Sequence, residues 1–589
     1  MSRQALIDVA LGREPADVLV EHGRLVNVWT AEIYPADVAI KDGRIAAVGD
    51  VAYTRGETTR SVAADGRFLV PGLIEGHLHQ YHSYLGVNAF TEAMLTHGIT
   101  ATADAFYGPG VVAGMEGIRF FKDAIGRMPM RLLFLVPTIA WLQNRDLGLT
   151  PTPKAITLED MLEMLAWDDC YGLEEPQPFP VLDRWPEYVE LLDAALRLRK
   201  TISGHASGLS ERQIQAYTAA GALCDHESDS FEDALLKARL GMRLLAREGS
   251  GCRDVREVVR VVTEAGVDPH VLGFSSDVAS AEKLRDEGTT DEAIRVAIAR
   301  GVPPVQAIQM GTLNIAEIFH AEQDLGSIAP GRYADILLVE DLPEFAIDGV
   351  LVGGEPVVEG GRFVAELPPT EYPPSFYSSV ELPQPVVPED LTLTVDGAGP
   401  VEVRVIGVND GSLITDERRA QLTPTGGRLL ADVDRDVLLL AMIDRFGKGT
   451  GIGRGFAQGF GLQRGAFAST ANATCENIVV VGTNPEDMAL AANHVAEIGG
   501  GKAVVADGEV LATVHLPVLG LHAEAPLSTV MEQFDAALRA IADLGCDLPN
   551  PYSQLEFSFA CGSLGDIKLS EEALLLIHPP SKVEVIVSE

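Results

Sequence analysis

"KTISGHASGLSERQIQAYTAAGALCDHES", residues 200–228, alternates two kinds of pattern within one short span. "KTISGHA" is an apolar run closing on His205, "LSERQIQAYTAAG" has the spacing of an amphipathic helix, and "ALCDHES" is a second apolar run closing on His226. Strands separated by a helix of this length predict parallel βα units. The same alternation extends outward through "MRLLFLVPT" (130–138), "TLEDMLEMLAWD" and "SFEDALLKARLGMRLLAREG". The block from 71 to 320 has about the size of an eight-stranded (β/α) barrel. A doubly wound open sheet is the competing fold, but no GxGxxG follows the first strand, so the barrel is expected.

The flanks have a different texture. Residues 16–70 read as short alternating strands broken by DG or HG pairs, and residues 329–363 repeat that texture. One β-sandwich domain built from 1–70 and 321–365 is therefore expected, with the barrel inserted into it. Residues 366–400 are Pro-rich and aperiodic, which reads as a linker. A second α/β segment follows over 401–589, with strands such as "VLLLAMIDR" and "NIVVVGT" and helices such as "NPEDMALAANHVAEIGGG".

The charge narrows the function classes. Lys and Arg number 45 against 85 Asp and Glu, a formal charge of −40. Such a surface repels phosphate backbones and anionic bilayers, so neither a nucleic-acid polymer nor a membrane is an expected partner. Six cysteines stand without CxxC or regular spacing, which fits reduced thiols rather than a disulfide scaffold. No basic-then-apolar leader and no run of about 18 apolar residues is present, so a cytoplasmic protein is expected. A small-molecule substrate and a homo-oligomer complete the expectation.

The histidines carry the chemistry. In "PGLIEGHLHQYHS" (71–83), His77 and His79 stand at i and i+2, which on a strand places both imidazoles on one side. His205, His226 and Asp277, the last in "LGFSSDVAS", each close an apolar run. In a barrel such strand ends converge at the C-terminal mouth. Four imidazoles and a carboxylate there suit one or two divalent ions, with zinc, iron and manganese all acceptable. Glu174 or Glu175, in "CYGLEEPQPF", could bridge two ions and help to acidify a shared water.

These motifs resemble the amidohydrolase superfamily and, within it, the adenine deaminases. The resemblance rests on "PGLIEGHLH", "GHASGLS", "AAGALCDHES" and "SSD", and extends to "AIARGVPPVQAIQMGTLNIAEIFH", "LGSIAPGRYADILLVEDL" and "ENIVVVGTNPEDMALAANHVAEIGGG". It covers about 20–360 and 440–589. It implies a (β/α)8 barrel with a β-sandwich side domain and an additional C-terminal domain. It also implies two divalent ions and hydrolysis of a C–N bond with release of ammonia. By the same resemblance His77, His79 and Asp277 hold the more buried ion, His205 and His226 the second, and Glu175 the bridge. Asp277 would also carry the proton, and Glu227, next to His226, is a further catalytic candidate.

The departures from the family cluster beside these ligands. After HxH the adenine deaminases read close to Ile-Glu-Ser-Ser, whereas this chain reads Gln80-Tyr81-His82-Ser83. Where they read Ala-Asp-Pro-His-Glu, it has Ala103-Asp104-Ala105-Phe106-Tyr107. A histidine-containing stretch of the family becomes "STANATCEN" (469–477). Gln80, Tyr81, His82, Phe106 and Tyr107 are therefore the candidate substrate contacts. Retained ligands keep the reaction type while changed neighbours alter the substrate. An amide, cyclic imide or substituted aminoheteroaromatic is the alternative to an aminopurine. A non-catalytic scaffold is the alternative of another class, although such relatives usually lose ligands that this chain keeps.

Overall fold

The computed structural model describes residues 3–142, 152–409, 412–449, 451–559, 565–577 and 580–587. Cys561 and His578 lie outside them. Eight parallel strands form the centre: β1 (Leu73–Glu75), β2 (Ile99–Asp104), β3 (Arg131–Pro137), β4 (Cys170–Glu174), β5 (Thr201–Gly204), β6 (Cys224–Asp225), β7 (Arg243–Arg247) and β8 (Leu272–Ser275). They neighbour one another in chain order. The two edges meet just past β1 and β8: the His79 N–H donates to the Asp277 carbonyl at 3.0 Å, and the Asp277 N–H donates to the His77 carbonyl at 2.9 Å. The seam that closes the barrel is thus made by the backbone of three candidate ligands.

Helices cover the outside, so the strands are buried on both faces; Ile99–Asp104 is buried at every position, Thr100, Thr102 and Asp104 included. Alternate residues of a strand share a side, and Ala101 and Ala103 of β2 join Leu133 and Leu135 of β3 in one cluster. "FEDALLKARLGMRLLAREG" divides into the helix Phe231–Arg239 and strand β7, with Gly241 at φ +90 in the turn.

A nine-stranded sheet takes strands from both flanks, with Ile336–Val339 pairing antiparallel to Phe68–Pro71. Gly72 joins that sheet to β1, where a Cβ would stand 2.1 Å from Thr100 Oγ1. The Pro-rich stretch 366–400 is mostly exposed or half-buried, but it is anchored by Phe376, which is fully buried with its ring 5.2 Å from Phe120 on helix Tyr107–Gly126.

The C-terminal part builds an eight-stranded, mostly antiparallel sheet from Val401 to His515. Helix Pro485–Glu497 lies on it, its first turn capped by Asn484, which accepts from the Asp487 N–H at 2.8 Å. This part reaches back to the barrel: the Ala523 N–H donates to the Tyr84 carbonyl at 2.7 Å. Among the described residues no helix is long and apolar enough to cross a membrane.

Candidate metal centre

Each ligand candidate sits at or just past a strand end, where the backbone leaves the ladder and a side chain can turn into the mouth. Glu175 follows β4 at φ +47 and Asp277 follows β8 at φ +61, left-handed conformations that cost a non-glycine residue free energy. The Glu175 N–H donates to the Ser203 carbonyl at 2.9 Å, which holds that turn against β5.

One oxygen of Glu175 lies at the centre. Oε1 is 3.2 Å from His77 Nε2, 3.7 Å from His79 Nε2, 3.3 Å from His205 Nδ1 and 3.0 Å from His226 Nε2. Asp277 Oδ1 is 3.4 Å from His79 Nε2 and 3.8 Å from His77 Nε2. The groups divide into His77–His79–Glu175–Asp277 and Glu175–His205–His226, each compact enough for one ion. Glu174 stands elsewhere: Oε1 lies 3.6 Å from His79 Nδ1, the nitrogen turned away from the cluster. A carboxylate behind a ligating imidazole is a common means of fixing its tautomer.

These residues fit a divalent cation on two observations. His77 and His226 are fully buried, with both ring nitrogens closing no hydrogen bond. The carboxylates also draw positive charge to this point. Burial opposes charge on His226, yet Glu175 and Glu227 hold its pKa up at about 10. Burial likewise opposes ionisation of Glu175, yet His79 and the other imidazoles hold its carboxyl well below the usual range.

Three buried carboxylates brace the backbone next to the ligands, and sequence reasoning missed all three. Glu75 accepts from the Ser276 N–H at 2.8 Å and the His77 N–H at 3.4 Å. Asp104 accepts from the N–H groups of Gln80 and Phe106, each at 2.9 Å. Asp225 accepts from the Ala206 N–H at 2.6 Å and the Glu227 N–H at 3.0 Å, and pairs with the buried Lys237 at 2.8 Å. Burial pushes Glu75 up to about 7 and Asp104 up to about 6; it also opposes charge on Asp225, but Lys237 brings that carboxyl below its ordinary value. The available signal was position: each lies one or two residues before a ligand or ends a strand beside one.

Arg247, at the end of β7, was also missed. Its Nη1 is 2.7 Å from Glu227 Oε1 and 3.3 Å from Asp277 Oδ2, and its Nε is 2.8 Å from Asp254 Oδ2. Glu227 Oε1 in turn lies 3.2 Å from His226 Nε2.

Of the five candidate substrate contacts, three gather at His79. The Tyr107 ring is 4.6 Å from it and the His82 ring 6.0 Å, while the Tyr81 ring is 5.0 Å from Tyr107. The other two are engaged elsewhere in the structure. Gln80 is engaged at both ends of its amide: Nε2 donates to the Leu85 carbonyl at 2.7 Å and Oε1 bonds His522 Nε2 at 3.0 Å. It braces the barrel against the C-terminal part. Phe106, at φ +55, packs its ring near Phe121 and Phe134 in the core between helix and strand, 6.1 and 6.5 Å away. The αL turn that caps helix Tyr107–Gly126 aims it there.

Comparison with known proteins agrees with this architecture. Residues 68–357 match the amidohydrolase family, and residues 412–575 match the adenine deaminase C-terminal domain. The chain is 37% identical over 578 residues to an adenine deaminase of Moorella thermoacetica, covering 97% of this chain and 96% of that one. It is 37% identical over 590 residues to adenine deaminase 3 of Rhizobium meliloti, covering 99% and 98%. It is 34% identical over 594 residues to an adenine deaminase of Clostridium botulinum, covering 100% and 98%. The protein is a hydrolase acting on carbon–nitrogen bonds other than peptide bonds, with a divalent-metal site and a small-molecule substrate. With relatives of this identity matched from end to end, the chain belongs to the adenine deaminase family of amidohydrolases.

Proposed function

We propose that the protein is an aminopurine-type deaminase, with adenine the first candidate substrate, and that it uses two divalent cations. The observation that carries this reading is the Glu175 oxygen held within 3.7 Å of four imidazoles, with Asp277 beside two of them. The full-length relatives named adenine deaminase support the choice of substrate. His77, His79, Glu175 and Asp277 would hold one cation, and Glu175, His205 and His226 the other. Manganese, iron and zinc all suit that donor set. Such ions, when bound, make water acidic enough to ionise near neutrality.

In the reaction the oxygen of water bonds to the ring carbon bearing the amino group, the C–N bond breaks, and ammonia leaves. A proton must pass from the water to the departing nitrogen. Asp277 is the proposed carrier, with Oδ1 at the imidazoles and Oδ2 toward Arg247. Glu227 is held by Arg247 against His226 and His205, so one guanidinium sets the positions of both carboxylates.

Tyr81, His82 and Tyr107 around His79 favour one second reading, a related hydrolase of aryl amides or cyclic imides. Protein produced with manganese is to be assayed for bound metal and for ammonia release from adenine. About two ions per chain and adenine turnover are expected. A fully loaded protein that leaves adenine intact but opens an aryl amide or imide would move the assignment to the second reading.

A further inference from the structure

A second set of buried polar groups without hydrogen-bond partners lies where the barrel meets the C-terminal sheet. It comprises the Tyr81 hydroxyl, His82 Nδ1, both carboxylate oxygens of Glu476, and Nε and Nη1 of Arg445. All four residues are at most 1% exposed. Glu476 lies in the loop between strands Ala466–Ser469 and Ile478–Gly482, at φ +53, with its N–H donating to the Asn472 carbonyl at 2.7 Å. Unsatisfied polar groups are costly to bury, and a strained loop that holds one in place points to a ligand.

Tyr107 connects this loop to the metal centre. Its ring stands 4.6 Å from His79 and 5.0 Å from Tyr81. Its hydroxyl bonds His82 Nε2 at 3.1 Å, and burial together with the nearby Glu476, Glu175 and Glu174 raises its pKa. Phe557, from the C-terminal part, stands 4.4 Å from His82. Around His79 and His82 the neighbours are therefore aromatic, and Tyr81 joins them to the Glu476 carboxyl. Burial pushes that carboxyl up to about 8, against the pull of Arg445 and Tyr81.

We propose that Glu476 is a specificity-determining residue: its carboxyl accepts the ring N–H of a planar aminoheterocycle whose amino-bearing carbon lies at the His77–His79–Asp277 cluster, with Tyr81 and Tyr107 against the ring. The proposal rests on the deaminase reading above and narrows it to heterocycles with an N–H on the edge remote from the amino group. Either protonation state of the carboxyl can accept that N–H. A ring without the N–H withholds that hydrogen bond from a buried acceptor, and such sites discriminate strongly.

The test compares adenine with 9-methyladenine on the metal-loaded full chain and on E476Q and E476A, with metal content and melting checked for each. The wild type should prefer adenine by roughly a hundredfold in kcat/KM. E476Q, whose amide carbonyl still accepts, should keep that preference. E476A should lose roughly a hundredfold on adenine and treat both substrates alike. Should E476A not fold, E476L takes its place. An unchanged preference in E476A or E476L, with adenine still turned over by the wild type, overturns the role of Glu476 and leaves the deaminase reading standing. A wild type inactive on adenine overturns both.

Discussion

Replacing Lys237 by Met tests whether the brace under the second half-site is electrostatic. Lys237 and Asp225 are both fully buried, with Nζ 2.8 Å from Oδ2, and Asp233 is the second partner of Nζ at 2.7 Å. At an effective dielectric of about 20, the Asp225 contact alone is worth about 6 kcal/mol of attraction before desolvation. Removing one partner of a buried pair costs about 3–5 kcal/mol, because the other charge is left uncompensated. In D225N/K237M neither charge remains, and the oxygen of the introduced amide can still accept the Ala206 N–H. The nitrogen of that amide would then face the Glu227 N–H, donor to donor, which costs about 1–3 kcal/mol. The double variant should therefore be more stable than K237M by about 2 kcal/mol.

The effect is local, so it is read by amide hydrogen exchange at the two N–H groups that Asp225 accepts. The amides of Ala206 and Glu227, both bonded to Asp225, should lose about three orders of magnitude of protection in K237M and recover part of it in the double variant. K237M protein should also hold less metal, because Asp225 fixes the residues after His205 and His226. A double variant less protected than K237M would refute the reasoning, since the cost would then lie in lost packing and not in a stranded charge.

Asp277→Asn should abolish ammonia release while leaving the fold and most of the metal, as read by turnover, melting and metal analysis; full activity would remove Asp277 as proton carrier. Chelation should lower the melting temperature and restored manganese should recover it, because the cluster's carboxylates lose their counter-charge; identical melts with and without chelator would argue against cations here. Glu476 gives the pH dependence. Its folded pKa of about 8 lies above the ordinary carboxyl value, so its stability contribution is full below about pH 4.5 and is lost as pH rises through about 8. E476Q, which cannot ionise, should gain about 4 kcal/mol over the wild type between about pH 5 and about pH 9. A constant difference across that range would mean Glu476 titrates normally.

The gathering of the candidate ligands was legible because barrel chemistry sits at strand ends, and strand ends are local features of the chain. His77, His79, His205, His226 and Asp277 each close a short apolar run, so pattern alone predicts a common mouth. The choice between Glu174 and Glu175 was not legible, since it depends on where β4 ends. In the structure Glu174 is the last residue of the ladder, and Glu175 turns through φ +47 to the centre. Phe106 misled because its backbone, also left-handed, sends the ring into the helix–strand core. His522 stands in a stretch of sequence with no ligand partner beside it, yet it bonds Gln80 across 442 residues of chain. No local pattern encodes a contact at that separation.

The metal centre and its surroundings are built by different rules. The candidate ligands are braced from within the barrel, by Glu75, Asp104 and Asp225 accepting from backbone N–H groups beside them. The cover is shared: Gln80 with His522, His82 with Phe557, Tyr84 with Glu556 and Tyr81 beside Glu476 each join the short turn after His79 to the C-terminal part. A substitution in that turn therefore meets a partner from the other domain, whereas a substitution of a ligand does not. Gln80, Tyr81, His82, Tyr107 and Glu476 thus gather at one junction between the barrel and the C-terminal part. A change of substrate can therefore come from either side of that junction, from the turn after His79 or from the loop that carries Glu476.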